Sequence, residues 1–300
     1  MNQERVAYVN GRIIPESEAS VSIHDHGFVR GDAVFDTTRT FGHKIFRLDE
    51  HLDRLFDSLR YTRIDPGMSR DRLAELTMQV LEANLPLLDP EDDYWVTQRV
   101  TRGSPDGGGG FDPTVIVDCL PLPFLQRSRF YRDGLPIRTP SVRRTPPESM
   151  SPRAKTHNYL NLVMGDLEVK AADPQALSIL LDLDGNLCEG LGSNIFIVRD
   201  GELATPRDRF VLAGISRNVT FELAEGLKFP VRQMDIDLYD AYAADEVFIT
   251  STSWCVCPIS TINGSVVGSG RIPGPVTQQL QEAYSELVGI DIVRQYTRWL

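Results

Sequence analysis

The 300-residue chain is short of cysteine, of lysine and of positive charge in general, and it has no long apolar run. Its four cysteines, Cys119, Cys188, Cys255 and Cys257, are too few for a disulfide framework. Cys255-Val-Cys257 offers half a metal site, but no second Cys or His pair stands at ligand spacing, so two strand cysteines and no metal are expected. No segment approaches the length of about 20 apolar residues that a membrane span needs. The polar start Met1-Asn-Gln-Glu-Arg is not a signal peptide, and the expectation is a cytoplasmic protein with no membrane partner. Lys and Arg number 31 against 42 Asp and Glu, a net charge of −11. With no basic cluster to neutralise phosphates, a nucleic-acid partner is excluded. Gly107 to Gly110 lack the Lys and Ser/Thr of a P-loop, so they read as a flexible loop.

What remains is ordinary for a globular protein, with 41% hydrophobic and 24% charged residues. The length suffices for one large or two medium domains. Val6-Ala-Tyr-Val-Asn-Gly-Arg-Ile-Ile-Pro reads as a hairpin about an Asn-Gly turn. Ala33 to Phe41 is β-branched and aromatic, hence a strand. Leu48, Leu52, Leu55 and Leu59 recur at helical spacing, as do Leu73, Leu76, Val80 and Leu81 in a helix over 70–85. Strands are expected from Tyr94 to Gly103, from Thr114 to Leu120, over 178–182 and from Asp245 to Thr250. Helices are expected over 158–171, 216–227 and 274–288. Pro121-Leu-Pro-Phe-Leu suggests an interdomain linker over 121–133, between a smaller domain at 1–120 and a larger one at 134–300.

Two stretches carry chemistry. Ser151-Pro-Arg-Ala-Lys155-Thr-His-Asn-Tyr159 places a Lys among Pro and aromatic residues, where an amine can lose its proton and act as a nucleophile. Gly185-Asn-Leu-Cys-Glu189-Gly-Leu-Gly-Ser-Asn194 sets one carboxylate in a glycine-lined turn, suited to a cationic ring nitrogen. A Lys with a ring-binding acid is the pairing that pyridoxal 5'-phosphate requires. By spacing alone Arg54, between Leu52 and Leu55, reads as a residue paired with acidic neighbours such as Asp53 and Asp57. Gly214-Ile215-Ser216 opens a helix whose N–H groups suit an oxyanion, and Ser251 and Thr252 end a strand; their bland reading is a helix cap and a polar turn.

Seven motifs in order bear a resemblance from Tyr8 to Val288: Asp25-His-Gly with Gly31-Asp32, His51-Leu-Asp-Arg54-Leu, Val100-Thr-Arg-Gly103, Lys155 with Asn158-Tyr159, Glu189-Gly, Leu212-Ala-Gly-Ile-Ser216-Arg, and Asp245-Glu-Val-Phe-Ile-Thr-Ser251-Thr252. On these the chain resembles the fold-type IV (class IV) pyridoxal-phosphate aminotransferases, which include branched-chain, D-amino acid and (R)-amine transaminases. The resemblance implies an α/β (α+β) fold of two domains, D-amino acid aminotransferase-like, and a homodimer that shares its active sites. It implies that Lys155 forms the Schiff base and moves the proton, that Glu189 holds the pyridine nitrogen, and that Arg54, Ile215, Ser216, Ser251 and Thr252 bind the phosphate. Tyr159 would reach the ring oxygen, although the Tyr of branched-chain enzymes stands one residue further from the Lys. Lys-x-x-Asn and Val-Thr-Arg102-Gly look like D-amino acid transaminases, whose Arg in this motif helps trap the substrate carboxylate. Phe35 stands where branched-chain enzymes carry Phe. Arg30, Arg99 and Arg102 are the candidates for a substrate carboxylate. The expected activity is amino transfer to a 2-oxo acid, leaning toward D-amino acid or (R)-amine donors. The alternatives are a branched-chain L-amino acid aminotransferase, a lyase like aminodeoxychorismate lyase, and a non-catalytic binding protein on the same scaffold.

Overall fold

The computed structural model describes residues 4–300, which form two compact units. The first unit comprises residues 4–122 and, from much later in the chain, Ala154–Asn158. The second comprises Pro123–Arg153 and Tyr159–Leu300.

In the first unit β1 (Val6–Val9) and β2 (Arg12–Pro15) form the hairpin, with left-handed Asn10 and Gly11 at its turn. There follow α1 (His26–Arg30), β3 (Ala33–Phe41), β4 (Lys44–Ile45), α2 (Leu48–Thr62), α3 (Arg70–Asn84), β5 (Tyr94–Pro105) and β6 (Phe111–Pro121). The sheet order is β2-β1-β6-β5-β3-β4. Alternation gives β3 two faces. Val34 joins the core cluster with Leu52, Leu55 and Leu59 of α2 and Leu73, Leu76, Val80 and Leu81 of α3. Fully burying a Leu contributes about 1.5–3 kcal/mol, enough for these rows to fix both helices on the sheet. A bulge interrupts β5–β6 pairing after Thr101, at Gly103, where φ is +83° and a Cβ would lie 1.6 Å from the Asp112 carbonyl oxygen.

Residues 121–133, expected as a linker, are largely α4 (Phe124–Asp133), which belongs to the second unit. Its Phe124, Ser128 and Tyr131 are buried, and Tyr131 stacks on Tyr296 with centroids 4.2 Å apart. A short amphipathic helix rich in Arg looks like solvated chain when the residue it packs against stands near the far end of the sequence. The second unit continues with β7 (Leu135–Arg138), α5 (Leu160–Ala172), β8 (Leu177–Leu181), β9 (Leu187–Gly190), β10 (Ser193–Arg199), β11 (Glu202–Pro206), α6 (Ile215–Gly226), β12 (Val231–Met234), α7 (Leu238–Tyr242), β13 (Glu246–Ser251), β14 (Cys255–Ile262), β15 (Ser265–Val266), α8 (Pro275–Val288) and α9 (Ile292–Thr297). Strands β10, β13, β14, β7, β8 and β9 pair in turn, and β9 pairs back onto β10, closing a ring of six. The end of β10 also carries β11, which in turn holds β12. No helix among the described residues is long and apolar enough to cross a membrane. Cys255 and Cys257 are buried on β14.

Candidate active site

In the first unit the segment 154–158 adds itself to the start of β3. Phe35 N–H donates to the Lys155 carbonyl at 3.0 Å, His157 N–H donates to the Ala33 carbonyl at 2.9 Å, and Thr156 bridges Val34. The Lys155 N–H donates to Ser58 Oγ at 3.0 Å, and that hydroxyl donates to the Arg54 carbonyl at 2.9 Å. Arg54 and Lys155 are therefore brought together through one turn of α2. Lys155 Nζ lies 4.6 Å from the Phe35 ring centroid, and His157 meets the same ring edge-on at 4.9 Å.

Arg54 is paired, but not with Asp53 or Asp57. Its Nε and Nη2 each donate at 2.8 Å to the two oxygens of Asp36, which is fully buried on β3. His51 Nδ1 lies 2.7 Å from Asp36 Oδ1, and the Thr37 N–H donates to the same oxygen at 2.8 Å. Burial alone would raise the Asp36 carboxyl, but Arg54 and His51 outweigh it and hold it well below the usual carboxylate range. Burial pushes His51 below its ordinary value despite Asp36. Sequence reasoning missed Asp36. Its only signal was an acid inside a β-branched run, where a strand facing helices should be apolar.

The three arginines proposed for a substrate carboxylate take different surroundings. Arg30 ends α1 and is exposed. Arg102 donates from Nε to Asp32 at 2.5 Å and from its two terminal nitrogens to the carbonyls of Arg63 and Thr62, at the end of α2. Arg99 stands directly opposite Phe35 in the β3–β5 register and pairs with Asp118 of β6.

In the second unit Glu189 sits on β9, 5% exposed, and its oxygens are separately held. Oε1 accepts from Arg144 Nε at 3.0 Å, and Oε2 accepts from the Leu212 N–H at 2.9 Å. Arg144 was not singled out by the sequence, being one of several arginines in a Pro-rich loop. Asn194 of β10 is the cross-strand partner of both Glu189 and Thr250, and its amide donates to the Leu212 carbonyl at 3.0 Å. These contacts draw Glu189, the end of β13 at Ser251 and the loop entering α6 to one end of the sheet. Helix α6 starts at Ile215 after Gly214, with no side-chain cap, so its first N–H groups and its positive dipole end face outward from the helix. A Cβ on Gly214 would lie 2.1 Å from Asn194 Oδ1, so any larger residue here would have to displace the Asn194 amide. Ser216 is buried, Ser251 Oγ accepts from the Trp254 N–H at 3.0 Å, and Thr252 follows it. Tyr159 precedes the first turn of α5 and is half-buried.

Each unit by itself offers groups of a kind that suits pyridoxal phosphate: the first a half-buried amine beside a fixed guanidinium, the second a buried, oriented carboxylate next to an uncapped helix N-terminus. No group of three or more His, Cys, Asp or Glu able to hold a metal occurs among the described residues.

Comparison with known proteins points the same way. A family model described as amino-transferase class IV matches residues 33–262. A putative branched-chain-amino-acid aminotransferase of Methanocaldococcus jannaschii is 34% identical over 287 residues, covering 93% of this chain and 95% of its own. A D-alanine aminotransferase of Bacillus licheniformis is 32% identical over 281 residues, covering 91% of this chain and 94% of its own. The solved branched-chain amino acid aminotransferase of Thermobaculum terrenum in its PLP form matches with a TM-score of 0.83 at 28% identity, over 100% of this chain and 98% of that one.

Proposed function

The chain belongs to the class IV amino-transferases, fold-type IV enzymes that use pyridoxal phosphate, and we propose that its amino donors are branched-chain L-amino acids. This displaces the expectation of D-amino acid or (R)-amine donors. The observation that carries the reading is the occupation of Arg102. The guanidinium that D-amino acid transaminases would use as a carboxylate trap is held here by Asp32 and two main-chain carbonyls. Relatives named for branched-chain substrates, from Methanocaldococcus jannaschii and Thermobaculum terrenum, support the same choice. Phe35, beside the Lys155 amine, is an apolar wall suited to an aliphatic side chain.

Bound pyridoxal phosphate supplies an electron sink for the substrate bond that breaks. Lys155 would hold the cofactor's aldehyde group, and its Nζ, as a free amine, would move the proton that leaves the substrate α-carbon. Glu189 would hold the cofactor's ring nitrogen with a carboxylate whose orientation Arg144 and Leu212 already fix. Arg54, the N–H groups at Ile215 and Ser216, and Ser251 and Thr252 would be the ligands of its phosphate. Tyr159 orients the ring oxygen. Arg99, opposite Phe35, takes the substrate carboxylate, its charge shared with Asp118. We include a homodimer in this reading, because Ile23, Phe28 and Val29 expose 71%, 74% and 55% of their surface on one loop and short helix.

The test is a half-reaction screen with L-leucine, D-alanine, D-glutamate and (R)-1-phenylethylamine, following loss of the bound cofactor's visible band. L-leucine is expected to react fastest, by about tenfold or more, the discrimination a well-filled apolar pocket provides. Fastest reaction with D-alanine or (R)-1-phenylethylamine overturns the assignment of donors and leaves the family membership untouched.

A further inference from the structure

A carboxylate in the middle of a strand, facing a helical core, is costly to keep unless each oxygen is occupied. Asp36 is fully buried, and both of its oxygens are occupied by design of the surrounding side chains. Arg54 engages it side-on with two nitrogens, one to each oxygen, the geometry that fixes both the plane and the rotation of a guanidinium. An anionic carboxylate can only accept, so the His51 Nδ1 contact is a donation from the ring, and the Thr37 N–H adds a main-chain donor. The carboxylate is thus itself immobilised from two further directions before it grips Arg54. One turn along α2, Ser58 ties the Arg54 carbonyl to the Lys155 N–H. The side chain and the main chain of Arg54 are both constrained, and they are constrained relative to Lys155.

We propose that Asp36 is a positioning residue: it presets the Arg54 guanidinium to receive the cofactor phosphate, with His51 locking the carboxylate that does so. The inference rests on the reading of Arg54 as a phosphate ligand given above. An arginine free to rotate loses several rotamers when it meets an oxyanion, whereas one already clamped loses few and binds more tightly for the same contacts. A purely architectural acid would support the core equally for every ligand. A positioning acid acts on the phosphate alone.

Apo-protein is titrated with pyridoxal phosphate and with pyridoxal, reading the visible band of the bound aldehyde, and the ratio of the two dissociation constants is the quantity of interest. In Asp36→Asn the affinity for pyridoxal phosphate is expected to fall about tenfold, the lower range for removing a group that orients a ligand-binding side chain. Affinity for pyridoxal, which lacks the phosphate, is expected to stay within about twofold. Equal losses for both ligands, or no loss for either, overturn the proposal. Arg54→Leu supplies the second arm. If it leaves the preference for the phosphorylated form intact, the phosphate role of Arg54 fails and the inference falls with it. If Arg54→Leu abolishes the preference while Asp36→Asn does not touch it, only the inference fails. Should Asp36→Asn not fold, His51→Ala, which frees the carboxylate on one side, is titrated in the same way. A fall in the preference for the phosphorylated form supports the proposal, and an unchanged preference refutes it.

Discussion

The two units solve the same problem, holding charge in a poorly hydrated place, by different means. In the first, side chains hold side chains: Asp36 is satisfied by Arg54 and His51, with one N–H from Thr37. In the second the main chain does more of the holding. Beside the Arg144 side chain the Leu212 N–H restrains Glu189, the Asn194 amide ties the Leu212 carbonyl, and the start of α6 offers its own N–H groups without any side-chain cap. A cluster of side chains is fragile to single substitutions because each removal strands a buried partner. A set of backbone donors has no residue to delete, so it tolerates changes in the side chains around it.

The largest effect that sharpens this contrast is expected from Lys155→Ala. The visible band of the bound cofactor should vanish, and turnover should fall by roughly 10³–10⁴-fold, the upper range for losing a positioned acid–base group. A spectrum that persists unchanged would move the amine to another lysine of the chain. Next comes pH. Burial first, then the charges of Arg99 and Lys155, pushes His157 down from 6.5 to about 4, and His51 moves in the same direction. The unfolded chain takes up a proton near 6.5 that the folded first unit refuses until about 4, so stability is fullest above 6.5 and is lost as pH falls from there. In scans of melting temperature against pH, His157→Phe is expected to flatten the slope between 6.5 and 4. An unaltered slope would place the titration elsewhere. The smallest effect is expected from Ser216→Ala. If main-chain donors carry the phosphate in this unit, cofactor affinity should change by only about two- to threefold, less than a typical hydrogen bond's worth. A loss matching that of Arg54→Leu would break the contrast between the units.

Periodic elements were legible in the chain itself. The Leu repeat of α2 has a period that burial then follows, whereas the β-branched, aromatic run of β3 marks the strand itself, buried on both faces from Thr38 to Phe41. Lys155 and Glu189 stand out in the chain because each is the single chemically suited residue of a distinctive stretch. Asp36 does not, since its meaning depends on His51 and Arg54, 15 and 18 residues away on another element. The pairing of Arg102 was hidden for the same reason: its partner Asp32 lies 70 residues back in the chain, and a bulge beside it redirects the strand. The helix α4 was hidden because Arg-rich amphipathic sequence identifies a helix only when the surface it covers is known.

The assignment of residues 154–158 to the first unit has a practical corollary. The polypeptide leaves that unit after Leu122, revisits it for one short stretch, and departs again. No single cut can separate the two bodies with all their parts, and a gene fragment ending at codon 122 would encode a body missing both an edge of its sheet and Lys155. Attempts to dissect the enzyme, swap its halves with a relative or permute its termini must carry that short strap along as an insertion.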